Sequence, residues 1–357
     1  MCTKMSFVHI SSSRQRDGLG LTRAQENRAQ GNRAHDRPAQ DRRAQERAVG
    51  IALGVVLDAV FGDPRRAHPV ALFGSAAAAL ERRLYADRRP NGVVHVAVLV
   101  GAAAGLGMLA ERAPAPVRTL LTAAATWAVL GGTTLAREGT LMAGHLEADD
   151  LGAARERLPH LCGRDPSALE APELARATVE SLAENTSDAV VAPLFWGAVA
   201  GVPGLLTYRA INTLDAMVGH RSPRYERFGW AAARLDDVAN LVPARLTGLL
   251  AVAAGPDRAG ALKVLRRDGH RHPSPNSGRC EAAFAGALGL TLGGTNVYGE
   301  RVEHRPELGE GRKPEVRDIR PAVRLVRKVS YAAAGLAVAV TAARGVAAAT
   351  AALRGRP

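Results

Sequence analysis

From residue 48 onward, apolar blocks alternate with charged stretches, and the block lengths set the expected fold class. Ala48–Phe61 falls short of the ~20 residues that cross ~30 Å of hydrocarbon. Val93–Ala110 and Val117–Ala136 approach that length, and only Glu111-Arg112-Ala113-Pro114-Ala115-Pro116 separates them. This spacing predicts a transmembrane hairpin; a buried Ala-rich helical pair in a soluble protein is the alternative. Ala189–Thr207 is a third span, interrupted by Pro193 and by Gly201-Val202-Pro203-Gly204. Leu241–Gly255 is a fourth, and Ser330–Leu353 is a last apolar segment that carries Arg344 within it. Arg137–Ser187 is polar, acidic and helically spaced, which predicts an extramembrane helical segment. The expected fold is all-α: a polytopic integral membrane helical bundle with about 4–6 spans and polar helical loops.

Composition changes this picture at one end. Residues 1–47 are rich in Arg, Gln, Asn and Ala, repeat Arg-Ala-Gln (Arg23-Ala24-Gln25, Arg43-Ala44-Gln45) and have no apolar face. They read as a disordered basic N-terminal extension, without the apolar core of a signal peptide. An alternative places them upstream of the native start. Residues 48–357 form the membrane domain. The net charge of +13 over 357 residues suits basic loops of a membrane protein. Without aromatic-interleaved basic patches or zinc-finger spacing, no nucleic-acid partner is expected. Cys2, Cys162 and Cys280 are scattered and odd in number, which points to a reduced, cytoplasm-facing environment. Lys/Arg counting leans the N-terminus, Tyr208–Arg234 and Arg258–Arg279 toward the cytoplasm.

Candidate chemistry gathers where charged groups border the apolar blocks. Glu180, Glu184 and Asp188 recur every four residues and stack on one helix face. Such like charges repel and call for a cation, an arginine or a cationic ligand. Arg209, Asn212 and Thr213 share a second face, with Asp215 about one turn on. Arg234, Asp237 and Asn240 are neighbours on a third, next to Asp236; an Arg234–Asp237 ion pair is the plainer structural explanation there. Asp58, Asp63 and His68 read first as turn punctuation around Gly62-Asp63-Pro64 and second as a ligand-facing group. Two loops offer backbone N–H and hydroxyl groups to an anion: Pro273–Gly278, with Ser274, Asn276 and Ser277, and the Gly293-Gly294 loop. No Walker A motif is present, and the spacing of His270 and His272 argues against zinc.

The stretches Glu180–Phe195, Tyr208–Gly219, Phe228–Arg245 and His272–Gly299, with Gly62-Asp63-Pro64 and His68-Pro69-Val70, together resemble the cobalamin-biosynthesis CobD/CbiB family of adenosylcobinamide-phosphate synthases. The likeness runs from about Ala48 to the C-terminus; Ala189 departs from the glycine frequent there. It implies a multi-pass inner-membrane enzyme, an ATP-dependent acid–amine ligase with its active site on the cytoplasmic side. The enzyme joins the free propionate carboxyl of adenosylcobyric acid, a corrinoid, to (R)-1-amino-2-propanol or its O-phosphate. ATP, Mg²⁺, membrane lipid and other cobalamin-pathway proteins are the implied partners. Residue chemistry then offers Glu184, Asp188, Arg209, Asp215, Arg234 and His272 for catalysis. Asn185, Asn212, Ser274, Asn276 and Ser277 are offered for cofactor binding, and Asp236 and Asp237 for metal. A corrinoid or cation transporter and a scaffold subunit of a pathway complex are the alternatives from other classes.

Overall fold

The computed structural model describes residues 42–63, 68–220, 222–298 and 301–354. Most of the expected N-terminal extension (1–41) lies outside the described residues, as do Pro64, Arg221 and Gly299 of the motifs. Residues 46–342 form one compact unit, and 1–45 group with 343–357. Of that second group, only helical residues 42–45 and 343–354 are described.

The first helix, α1, covers residues 42–61. It therefore begins six residues before the expected domain boundary. Its opening turns lack an apolar face and are held instead by ion pairs: Glu46 with Arg118, and Arg47 with Glu111 at 3.6 Å. α2 (Pro69–Leu84) starts at His68, whose Nδ1 accepts from Val70 N–H at 3.1 Å. Pro69 is in the first turn, where its missing N–H costs nothing. α3 (Arg89–Ala110) and α4 (Ala115–Val129) are the two helices expected there, but each packs against α8 (Ala192–Leu214) rather than chiefly against the other. Val94, Val98, Leu106, Leu109 and Leu120 are exposed on their outer faces, as a lipid-facing surface requires. By length and composition, four helical stretches can cross a membrane: Arg89–Ala110, Ala115–Glu147, Ala171–Gly219 and Val316–Gly345. A fifth counts if α9 (Trp230–Ala239) and α10 (Leu241–Ala254), bent by 47°, form one broken span. The expected helical membrane protein is thus present, although Leu241–Gly255 is too short to span alone.

The third expected span proves to be a turn-back. α7 (Ala171–Thr186) leads through a π-helical turn, Ser187–Val191, into α8 (Ala192–Leu214), and a second π-helical turn covers Asp215–Gly219. Gly201 interrupts α8 with φ 68° and ψ −146°, a conformation essentially restricted to glycine. A β-carbon at Gly197 would meet Leu205, and one at Gly204 would meet Trp196. Residues eight apart in a straight helix are about 12 Å apart, so the two limbs fold against each other as a helical hairpin. Its tip meets the first turns of α1 and the end of α3: Val202 N–H donates to Glu111 Oε1 at 3.3 Å, and Arg47 reaches Val199 O at 3.5 Å.

The hairpin base lies at the other end of α1, where Asp63 is near Arg209 and Gly131 N–H donates to Ala189 O at 3.0 Å. The 20-residue rise of α1 is about 30 Å.

A polar helical layer covers the base. It comprises α5 (Gly132–Glu147), α6 (Leu151–Arg157), α7, α11 (Arg258–Asp268), α12 (Ser277–Leu288) and the start of α13 (Ile319–Arg354). α7 is started by a capping box between Glu170 and Glu173, with Pro172 in the first turn. Its core is small and apolar, with Leu174, Leu182, Phe284, Leu290 and Val326 fully buried among alanines. Two antiparallel strands, β1 (Leu292–Tyr298) and β2 (Arg301–Leu308), project from α12. The Gly293-Gly294 loop is therefore part of a strand, and both glycines hold positive φ.

Candidate active site at the base of the helical hairpin

Both π-helical turns carry a carboxylate, and the fold-back brings them to one level. Such turns insert a residue and re-aim side chains, frequently at functional sites. Asp188, from the first, lies within electrostatic reach of Glu184, Asp215, Asp236 and Arg209. Asp215, from the second, faces Glu184, Asp236 and Asp237. α9 supplies Asp236, whose Oδ2 accepts from Asn240 Nδ2 at 3.0 Å and which also bonds Asn212. Asn240 in turn accepts from the buried Tyr208 hydroxyl at 2.9 Å, so Tyr208, Asn240 and Asp236 form a fixed chain.

One arginine faces this acidic group from within the hairpin. Arg209 lies between Asp188 and Asp63, and its buried Nε makes no hydrogen bond. Asp63 and His68, at the mouth of α1 and α2, are both near Arg209. Burial pushes the Asp63 carboxyl up and the His68 imidazole down from their ordinary ranges.

The loop before α12 closes the site by docking on two helices. Ser277 donates to Glu184 Oε1 at 2.6 Å, and Asn276 Nδ2 donates to Asp237 O at 2.8 Å. Ser274 Oγ accepts from the N–H groups of Asn276 and Ser277, at 3.3 and 3.2 Å. The loop thus bonds a carboxylate of the protein itself through the Ser277 hydroxyl. The second glycine loop does the same, since Gly293 N–H donates to Glu180 Oε1 at 2.7 Å. Glu180 is also paired with the buried Arg164 and with Arg176, the latter at 3.3 Å. The stack of three carboxylates is therefore divided: Glu180 is neutralised within the polar layer, while Glu184 and Asp188 face the hairpin base.

The remaining expected residues sit at the edge. Arg234 is exposed and paired with Asp237 at 3.2 Å. Asn185 spends its amide on Leu161 O and Ser181 O. His272 is buried, with Nδ1 accepting from Ser274 N–H at 3.0 Å and Nε2 lying 3.8 Å from Glu281 Oε1. Burial, and then the charge of Arg305, holds the His272 imidazole below its ordinary range. Burial, reinforced by Glu180 and Glu184, pushes the Glu281 carboxyl well up. Neither Glu281 oxygen has a hydrogen-bond partner.

Tyr208, Glu281 and Arg164 were not singled out as site residues from the sequence, whereas Asn240 was read only as a neighbour of Arg234 and Asp237. The spacing of Asn240 to Asp236 was a usable signal. Glu281 and Arg164 look like ordinary surface charges until burial is known.

Among the described residues, no group of three His, Cys, Asp or Glu side chains is arranged to hold a metal. An all-protein cage is therefore not built here. Mg²⁺ instead binds one or two carboxylates and completes its shell with water and phosphate oxygens. Asp236, with a buried Oδ1 lacking any partner, and its neighbour Asp237 fit that role.

The family model described as CobD/Cbib protein matches residues 51–326. A Mycobacterium tuberculosis cobalamin biosynthesis protein CobD is 58% identical over 299 residues, covering 82% of this chain and 95% of the relative. The protein of that name from Geobacter metallireducens is 45% identical over 276 residues, covering 74% and 87%. The one from Rhodobacter capsulatus is 43% identical over 290 residues, covering 78% and 91%. No solved structure matches this chain. With most of its length matched by the family model and by relatives of this similarity, the chain belongs to the CobD/CbiB protein family.

Proposed function

We propose that this protein is a membrane enzyme of cobalamin biosynthesis that forms an amide between a corrinoid carboxyl and a small amino alcohol, driven by ATP. The observation that carries the reading is the convergence of Glu184, Asp188, Asp215 and Asp236 at the base of the hairpin, with Arg209 beside Asp188. Ionisable groups at such depth are expensive and usually functional. The relatives' shared name supplies the pathway. The resemblance supplies the substrates: adenosylcobyric acid and (R)-1-amino-2-propanol or its O-phosphate.

The chemistry follows from the reactants. A carboxylate is inert to amines at neutral pH, so one of its oxygens attacks the γ-phosphorus of ATP, and ADP leaves. The amine then attacks the acyl phosphate carbon, inorganic phosphate departs with that oxygen, and the amine proton passes to a base. Arg209 is placed to stabilise charge developing on the transferred phosphoryl group. Mg²⁺, held by Asp236 and Asp237, would supply further charge neutralisation of the phosphates. Asp188 and Asp215 face the space between the limbs, where they orient the ammonium group and accept its proton. Glu184, fixed by Ser277, closes that space on the polar side. His272 takes part through Nε2, the nitrogen left free by Ser274. ATP and both substrates are cytoplasmic, which places this face of the bundle on that side of the inner membrane.

The test is turnover by detergent-purified protein given adenosylcobyric acid, MgATP and either acceptor, with products read by mass. An ATP-dependent gain matching the amide supports the reading and names the acceptor. Corrinoid binding without new product from either acceptor would favour a transporter or scaffold.

A further inference from the structure

Both limbs of the helical hairpin reach the junction where α9 and α10 meet at their 47° bend. Trp196, on the first limb, donates its indole N–H to Ala239 O at 3.0 Å. Tyr208, on the second, donates its hydroxyl to Asn240 Oδ1 at 2.9 Å. Backbone bonds continue through the junction: Asn240 N–H donates to Asp236 O and Ala244 N–H to Asn240 O, both at 2.9 Å. Tyr208 and Asn240 are only 1% and 2% exposed, so neither side chain exchanges its partner for bulk water.

That burial fixes the direction of the chain of bonds. An ionised carboxylate only accepts hydrogen bonds, whereas an amide donates from nitrogen and accepts at oxygen. With its oxygen held by the Tyr208 hydroxyl, Asn240 turns its nitrogen to Asp236 Oδ2, at 3.0 Å. The flipped amide would set oxygen against carboxylate and leave the Tyr208 proton without an acceptor, which is costly in a buried place. Asn212 also bonds the Asp236 carboxyl, while Oδ1 is buried and has no partner. One oxygen of Asp236 is clamped and the other is presented unshared, as when outer hydrogen bonds orient a metal-ligating carboxylate.

We infer that Asn240 and Tyr208 are positioning residues that present Asp236 Oδ1 to a divalent cation, acting through Asp236 and touching neither metal nor substrate. Tyr208 acts at one remove, by fixing which end of the Asn240 amide faces the carboxylate. Trp196 and Tyr208 lie on either side of Gly201, so the fold-back brings both to the junction and ties the hairpin to the cation site. The inference rests on the Mg²⁺ placement proposed above. Its test reads metal binding apart from turnover, so this tie and the ligase reading fail separately.

The experiment uses the full chain in detergent with Mn²⁺ alone, bound ion being read by loss of the free-ion paramagnetic resonance signal and Mg²⁺ by competition. The wild type is expected to bind Mn²⁺ saturably, and Asp236→Asn to lose that binding. Tyr208→Phe removes a single oxygen atom, and Asn240→Leu keeps the volume. Each is expected to weaken Mn²⁺ binding about tenfold or more, on protein shown to be folded by its melting transition. Turnover in Tyr208→Phe should return as Mg²⁺ is raised, whereas that of Asp236→Asn should not, a split that a merely structural role would not produce. If Asn240→Leu does not fold, Tyr208→Phe decides alone. Wild-type Mn²⁺ affinity in Tyr208→Phe overturns the inference, and no Mn²⁺ binding by the wild type overturns it together with the Mg²⁺ placement. Weakened binding in the variants of a protein that forms no amide upholds the tie and overturns the ligase reading instead.

Discussion

Ser277 donates its hydroxyl to Glu184 at 2.6 Å across 93 positions of sequence, joining the loop before α12 to the carboxylates of the hairpin base. A hydrogen bond to a carboxylate is worth about 1.5–3 kcal/mol. Ser277→Ala is therefore expected to lower kcat roughly 10–100-fold, with Ser277→Thr restoring part of it. Steady-state kinetics on protein of unchanged melting temperature checks this. A wild-type kcat in Ser277→Ala would remove the loop from the working site.

The hairpin turn rests on one backbone conformation. Gly201→Ala forces a side chain into φ 68° and a β-carbon against Arg47 and Glu111. The backbone alone costs on the order of 1–3 kcal/mol. A marked fall in melting temperature in detergent is expected, with turnover lost in proportion. An unchanged melting temperature would contradict the fold-back geometry.

Glu281 is a buried carboxyl with no hydrogen-bond partner, which is a poor choice for stability and a common one for function. Glu281→Met is expected to raise the melting temperature and lower turnover. The pH dependence has a definite sign. Burial, reinforced by Glu180 and Glu184, pushes the folded carboxyl well above its ordinary 4.5, so stability is fully present below that ordinary value and is lost as pH rises toward the folded one. Glu281→Met should flatten that decline, as read by melting temperature against pH. A parallel decline in the variant would assign the pH dependence to another group.

Asp268 behaves in the opposite sense. Bonded first to Arg267, and also to Gly309 N–H at 2.9 Å, its carboxyl is held down to about 2, against 3.8 ordinarily. Its contribution is present above about pH 4 and is lost as pH falls through about 2. Allowing for the exposed arginines, it is worth on the order of 1–2 kcal/mol. Asp268→Asn should lower stability at neutral pH and remove the acid-side step; an identical acid transition in the variant would count against the tie.

The residues show why some of this was legible in the sequence and some was not. Val93–Ala110 and Val117–Ala136 announced themselves as two helices because a polar, proline-bearing linker interrupts two blocks of near-spanning length, but α8 rather than a mutual contact is their main packing partner. Glu184, Asp188, Asp215 and Asp236 stood out because charge beside apolar sequence is costly. Their meeting was hidden, since 27 positions separate Asp188 from Asp215 and an apolar block reads the same whether it crosses or folds back. Gly201 alone carries that difference, through a dihedral angle. The two glycine- and serine-bearing loops read as anion cradles, but the sequence does not tell that Ser277 bonds Glu184 and that Gly293 N–H bonds Glu180. Asp63 and His68 were read chiefly as turn residues; His68 does cap α2, yet the fold also sets both beside Arg209.

The central claim is that a carboxyl is activated by phosphoryl transfer at this site. Its most direct test supplies corrinoid labelled with ¹⁸O in the free propionate carboxyl, with MgATP and the amine acceptor. Transfer of one ¹⁸O into inorganic phosphate for each amide formed is the predicted result. Amide formed with unlabelled phosphate, or label recovered in AMP, would contradict it.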